Sequence, residues 1–132
     1  MTGTASDAFS TEHFVEGIHD VVYKAAVRDA ESLIAHPPGR NPRRELVELS
    51  VWWRTLQDSD REMVRSALTM TSDLAVFGLL CVLDNSRPVT NTPGVSLSLQ
   101  AVVDGVTYQV PHDEAVELHD LFASLVEQER EE

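Results

Sequence analysis

The chain has 132 residues, 42% apolar and 24% charged, with a formal net charge of −12. That length suits one domain with a real core, and the charge excludes ordinary nucleic-acid binding, which draws its affinity from phosphate neutralisation by Lys and Arg. The charge is unevenly spread: residues 1–35 carry −4, residues 36–66 carry +1 and residues 67–132 carry −9, so a basic segment from Arg40 to Arg65 interrupts an acidic chain.

In chain order, residues 1–9 are small and polar and read as a flexible N-terminus that is no signal peptide, having neither a basic region nor a continuous apolar stretch. Ser10 or Thr11 can cap a helix over about 11–35, whose apolar stripe at 100° per residue comprises Phe14, Val15, Ile18, Val21, Val22, Ala25, Ala26 and Leu33. Asp29 falls inside that stripe and must be paired or at its rim, because an isolated buried charge is costly. His36-Pro37-Pro38-Gly39 stops the helix. A second helix, about 43–56, has Leu46, Leu49, Trp53 and Leu56 on one face. Trp52 is about 80° off that face, and Val47 and Val51 lie opposite it.

Ser59 and Glu62 have capping-box spacing and predict a third helix over about 60–83. It is amphipathic through Met63, Val64, Ala67, Met70, Thr71 and Leu74, and apolar all round from Ala75 to Leu83. A helix apolar on every side is surrounded by other elements, so the sequence predicts a central helix wrapped by the rest of the chain. Asp84-Asn85-Ser86-Arg87-Pro88 ends it. A β-hairpin over about 95–110 follows, with Val95, Leu97, Leu99 and Ala101 alternating on one strand and Val106, Tyr108 and Val110 on the other. Asp104-Gly105 forms a type I′ turn signal between them. A last helix over about 113–128, with Leu118, Leu121, Phe122 and Leu125 as its stripe and Glu114 favouring the dipole of its first turn, leads into a charged, mobile tail, 129–132. The expected fold is α+β: one domain over 10–128, four helices packed around the third, and one antiparallel hairpin.

Motifs for metalloprotease, zinc-ribbon, phosphate-loop and nucleophile-elbow chemistry are missing. Three weaker clusters remain. Glu16 and His19 have the i, i+3 spacing of di-metal helical bundles, but the pair occurs once, on the polar side with Glu12 and Tyr23. His112, Asp113, His119 and Asp120 put carboxylates beside histidines, the pairing of a general base, without a nucleophile. Cys81, the single cysteine, reads as a small buried hydrophobe. The third cluster, Arg40, Arg43, Arg44, Trp52, Trp53 and Arg54, combines the residue types enriched at binding hot spots. Its plainest reading is a helix sandwiched on both faces; a self-association surface, with Arg43 and Arg44 meeting the acidic last helix of a second copy, is the next.

The stretch Phe77-Gly-Leu-Leu-Cys-Val-Leu-Asp84, with Ser59-Asp-Arg-Glu62 before it and Leu118-His-Asp-Leu-Phe122 after the hairpin, resembles a loose group of small bacterial proteins of unknown function. The resemblance covers about half of the chain, Ser59 to Phe122, and implies a bacterial cytoplasmic protein without transferring an activity. The group typically has Gly after the Asp; here it is Asn85, which tolerates the same left-handed cap.

Taken together, these features favour a non-catalytic acidic protein-binding module of the immunity-protein or antitoxin kind. It would act in the cytoplasm, without cofactor, metal, nucleic acid or membrane, on a basic protein partner. The residues expected to carry binding are Arg43, Arg44 and Trp52 on the basic helix, and Asp113, Glu117 and Asp120 on the acidic face of residues 104–132. The alternatives are a self-associating structural or regulatory protein, possessing a homodimer interface on the 43–56 helix, and a small hydrolase or metal enzyme built on His112 and His119 or on Glu16 and His19.

Overall fold

A computed structural model describes residues 9–131; residues 1–8 of the expected flexible segment 1–9 and Glu132 of the expected tail lie outside the described residues, while Phe9 is not free but packs against Phe14 and Tyr108 at the edge of the core. The architecture is four helices and one two-stranded antiparallel sheet, an α+β fold. Helix α1 covers residues 11–35 as three consecutive segments: Thr11–Ile18, a π-helical turn His19–Lys24, and Ala25–Ala35. Helix α2 is Arg44–Thr55, α3 is Asp58–Leu83 and α4 is Leu118–Glu131; strands β1, Leu99–Val103, and β2, Val106–Val110, form the hairpin.

Ser10 caps α1 by accepting the His13 amide at 3.0 Å, which supplies one of the amides left over at a helix start. The stripe expected on this helix is displaced. Thr11, Val15, His19 and Tyr23 are the buried positions, whereas Val21 and Val22 are exposed. Buried residues four apart drift about 40° per step around a regular α-helix of 3.6 residues per turn. The wider π turn offsets that drift and holds His19 and Tyr23 on the core side. A π segment hydrogen-bonds i to i+5 and so shifts the phase of everything after it, which a constant 100° projection cannot anticipate. Asp29 is exposed, so its charge is solvated, as its place in the stripe required.

Helix α3 begins two residues earlier than expected, after Gln57 as N-cap. The Ser59–Glu62 box is therefore inside the helix, and Glu62 pairs with Arg65 instead. Arg61 reaches back across the α2–α3 corner, donating twice to the Trp53 carbonyl at 3.2 Å and stacking its guanidinium 5.5 Å from the Trp53 ring. The core joins α1, α3, α4 and β2: Val15, Tyr23, Val76, Leu80, Val110, Leu118, Phe122 and Val126 form one cluster.

The expectation that α3 is wrapped on every side is overturned. One face packs through Val76 and Leu80, but Met63, Met70 and Leu74 are 71%, 59% and 64% exposed, and Leu79 also faces outward. By length and composition alone α3 is apolar enough to cross a membrane, and only 17% of its most apolar 18-residue window is buried. The sequence shows that the Ala75–Leu83 stretch is apolar all round; it does not show how many neighbours the chain has to cover it. Helix α2 is similarly one-sided. Ser50 and Trp53 are buried, while Leu49, expected in the core, is exposed together with Val47, Val51 and Trp52. The sandwiched reading of this helix is thus corrected.

In the hairpin, Val103 pairs with Val106 across a two-residue turn. Asp104 and Gly105 both have positive φ, 49° and 80°, the backbone a type I′ turn requires and the reason glycine suits its second position. Pairing starts at Leu99, so Val95 to Ser98 precede the strand rather than belong to it. Helix α4 starts at Leu118, five residues after the expected Asp113. Asp113 turns the chain instead, its carboxylate accepting the Ala115 amide at 2.9 Å and its carbonyl the Val116 amide at 3.0 Å. A side chain satisfied in a local turn competes with helix formation, and Glu114 is left in that loop. The helix then runs past residue 128, because Glu129 is held by Lys24 at 2.6 Å.

Candidate functional site

The chemistry-bearing side chains gather at two histidines, both at the α4 side of the core. His119 lies one residue into α4 and is placed by the other end of α3. The Asp84 carboxylate, 2% exposed, accepts the His119 backbone amide at 2.9 Å and lies 2.8 Å from Nδ1 of its ring. Asp84 thus ends α3 and caps α4 at once, giving a buried carboxylate the hydrogen bonds it needs. Phe77 meets the His119 ring edge-on at 5.4 Å. On the outer side, Nε2 is 3.0 Å from Glu117 Oε2 and 3.5 Å from Asp120 Oδ1. The two segments that carry the group resemblance, ending at Asp84 and containing His119, are therefore joined directly. Asn85 takes the left-handed conformation, φ 62°. Its amide also does what glycine could not, accepting the Leu97 amide at 2.7 Å and donating to the Leu97 carbonyl at 2.9 Å. This pair anchors the approach to the hairpin.

The second histidine, His19, was expected on a polar face and is instead buried against Tyr23 and Phe122. Its Nδ1 is 2.9 Å from Asp20 Oδ1, and Nε2 is 3.1 Å from Glu129 Oε1. The second approach is misaligned for a hydrogen bond, leaving Nε2 formally unsatisfied. Burial pushes the Tyr23 hydroxyl above its ordinary value, with Asp73 and Glu129 adding to the effect. For Glu129, burial alone would raise the carboxyl, but the Lys24 hydrogen bond and the His19 ring outweigh it and hold it low. Glu16 is exposed and shares only the rim of an open hollow with His19, Asp20 and Glu129.

His112 and His119 do not share a flank. His112 lies in the loop after β2 and bonds Thr11: the Thr11 hydroxyl is 2.6 Å from the His112 Nδ1 and accepts the His112 amide at 3.1 Å. This hydroxyl–imidazole pair, one hundred and one residues apart in sequence, has no local signature. Thr11 is fully buried, so the pair fastens the start of α1 to the exit of β2 and presents no nucleophile to solvent. Burial likewise raises the Cys81 thiol above its ordinary value, which keeps it protonated and unreactive.

Of the residues expected to bind a partner, Arg43 precedes α2 and is exposed, Arg44 is exposed and paired with Glu48 at 3.0 Å, and Trp52 is 48% exposed. Asp113 and Asp120 are exposed and Glu117 partly so. The structure brings Glu117 and Asp120 together around His119; Asp113 stands apart in the turn before them. Glu117, His119 and Asp120 each direct one potential ligand atom to within 4.8 Å of the others, a cluster that could accept a cation. A general base would need Nε2 of His119 facing a substrate proton; here it faces two carboxylates. Comparison with known proteins gives no match to a protein family, to a curated sequence or to a solved structure.

Proposed function

We propose that the chain is a non-catalytic acidic protein-binding module of the immunity-protein or antitoxin kind, docking a basic protein partner on the face formed by residues 113–120. The observation that carries this reading is the charge state of that face. Glu117 and Asp120 approach only the His119 ring, and Asp113 is bonded to a backbone amide, so among the described residues no Arg or Lys pairs with them. Uncompensated surface carboxylates raise the encounter rate with a positively charged surface and fix its orientation. The buried Asp84 holds His119 rigidly behind them, which spares the partner the cost of ordering the face. The reading places the protein in the cytoplasm.

A panel of basic nucleases, each tested for binding at low and high salt, examines this directly. At least one should bind, with an association rate that falls steeply with salt, and D113K/E117K/D120K should slow that association at unchanged fold. Binding that is insensitive to both salt and charge reversal would count against the proposal.

A second reading, self-association, is favoured by the uncovered apolar surfaces of α2 and α3. The basic helix was the expected seat of such contact, but the longer and less charged surface is on α3.

A further inference from the structure

We infer that Glu117, His119 and Asp120 form a binding site for a transition-metal dication of the zinc class, with Asp84 behind them as the support of the ligating imidazole. The inference does not need the docking reading, although it uses two of the same carboxylates.

The His119 ring decides which atom can act as a ligand. Oδ2 of Asp84 accepts the His119 backbone amide at 2.9 Å, and Nδ1 of the ring stands 2.8 Å from that same oxygen. An oxygen already serving an amide is an acceptor, so the tautomer that suits it carries its hydrogen on Nδ1 and turns the Nε2 lone pair outward. Metal-bound histidines are held in this way: the second ring nitrogen donates to a carboxylate, which fixes both the tautomer and the ring orientation. The support is rigid here, because the Asp84 side chain is 2% exposed and the ring 12%, with Phe77 packed edge-on at 5.4 Å.

Nε2 then faces Glu117 Oε2 at 3.0 Å and Asp120 Oδ1 at 3.5 Å. A protonated ring would aim its Nε2–H at one of these oxygens. The ring's hydrogen bond is the one to Asp84; neither outer oxygen is aligned with Nε2 for another. The separations are instead those of neighbouring ligands on one ion. Donors about 2.1 Å from a metal lie about 3.0 Å apart at right angles and about 3.4 Å apart at the tetrahedral angle. All three donor atoms lie within 4.8 Å of one another. Acceptor atoms this close repel unless a cation stands between them, and among the described residues no Arg or Lys supplies one. His19 makes the contrast, since the Lys24 ammonium already stands 2.6 Å from its neighbour Glu129.

Charge and donor type name the ion. Two carboxylates balance a dication. One imidazole nitrogen with two carboxylate oxygens suits zinc and its first-row neighbours, whereas calcium and magnesium take oxygen ligands. The positive end of the α4 dipole opposes a cation, but it amounts to about half a charge against two full ones. Three protein donors leave at least one coordination position directed outward, toward any partner that docks on the 113–120 face.

Calorimetric titration of the untagged full chain, freed of metal by chelator and dialysis, tests the site with zinc chloride alone. Wild type should bind one ion per chain, and calcium or magnesium at the same concentration should give no binding. E117Q/D120N, altered at two outward carboxylates, should lose zinc binding with its circular dichroism unchanged. D84N should bind about 10–100-fold more weakly, and an unchanged affinity would remove the role given to Asp84. Nitrogen NMR of the histidine rings identifies the ligand atom: zinc should move the Nε2 resonance of His119 while Nδ1 keeps its hydrogen. No zinc binding at sub-millimolar concentration, full binding by E117Q/D120N, an equal response to calcium, or a shift confined to another histidine overturns the inference. The nuclease panel, run with chelator present, separates the two proposals. Zinc binding without nuclease association removes only the docking proposal, and nuclease association by a chain that binds no zinc removes only this one.

Discussion

Asp84 is the residue on which most local order converges. Its backbone amide closes α3 on the Leu80 carbonyl, while its buried carboxylate caps the amide of His119 and fixes the imidazole ring, so removing the carboxylate leaves two donors without a partner. D84A is expected to lower unfolding free energy by about 1–3 kcal/mol, measured by urea denaturation. D84N, which keeps a carbonyl for the amide, should cost less than D84A. Equal losses in the two variants would show that the acceptor atom is not what matters. Asn85 beside it illustrates a choice that sequence pattern leaves open: a left-handed cap admits Gly or Asn, and the two hydrogen bonds to Leu97 give Asn a role that glycine lacks.

Between elements, the link with the clearest pH signature is Glu31 on α1 to Arg65 on α3. Arg65 donates to the Glu31 carboxylate at 2.6–2.8 Å, and this hydrogen bond holds the Glu31 carboxyl below its ordinary value. A carboxyl whose folded value is depressed adds stability above its unfolded value, about 4.3 for Glu. That stability is lost as the pH falls through the lower, folded value. E31Q should therefore lower the urea midpoint at neutral pH and flatten its fall at acid pH, with the two proteins converging once Glu31 is protonated in both states. Parallel midpoint curves for wild type and E31Q would exclude the linkage. Arg61 at the α2–α3 corner acts by a different route, tying the Trp53 carbonyl and ring to α3, so only two residues are needed between these helices.

For the molecule as a whole, the core is small for the length of the chain. Its centre is Phe122, fully buried and in ring contact with both Tyr23 and His19. F122A should cost about 3–5 kcal/mol, a large part of the 5–15 kcal/mol that is typical of a whole domain, and thermal unfolding in which its transition matches wild type would deny Phe122 that position. W52A should leave monomer stability nearly unchanged, because Trp52 stands outside the core. This core leaves apolar surface uncovered, on α3 above all, at Met63, Met70, Leu74 and Leu79.

Local information in the sequence was enough for the helices, the hairpin and its Asp104-Gly105 turn, because each rests on interactions within a few residues: periodicity, a Ser10 cap, a positive-φ turn. It also identified the apolar segment of α3 and an acidic C-terminal half. What tertiary structure alone decided are the contacts between distant residues and the exposure that depends on them. Thr11 with His112, Asp84 with His119, and Glu31 with Arg65 have no spacing to betray them. The π turn that buries His19, and the bare face of α3, follow from which surfaces find neighbours. Apolarity is a property of a residue, but burial is a property of the residues around it.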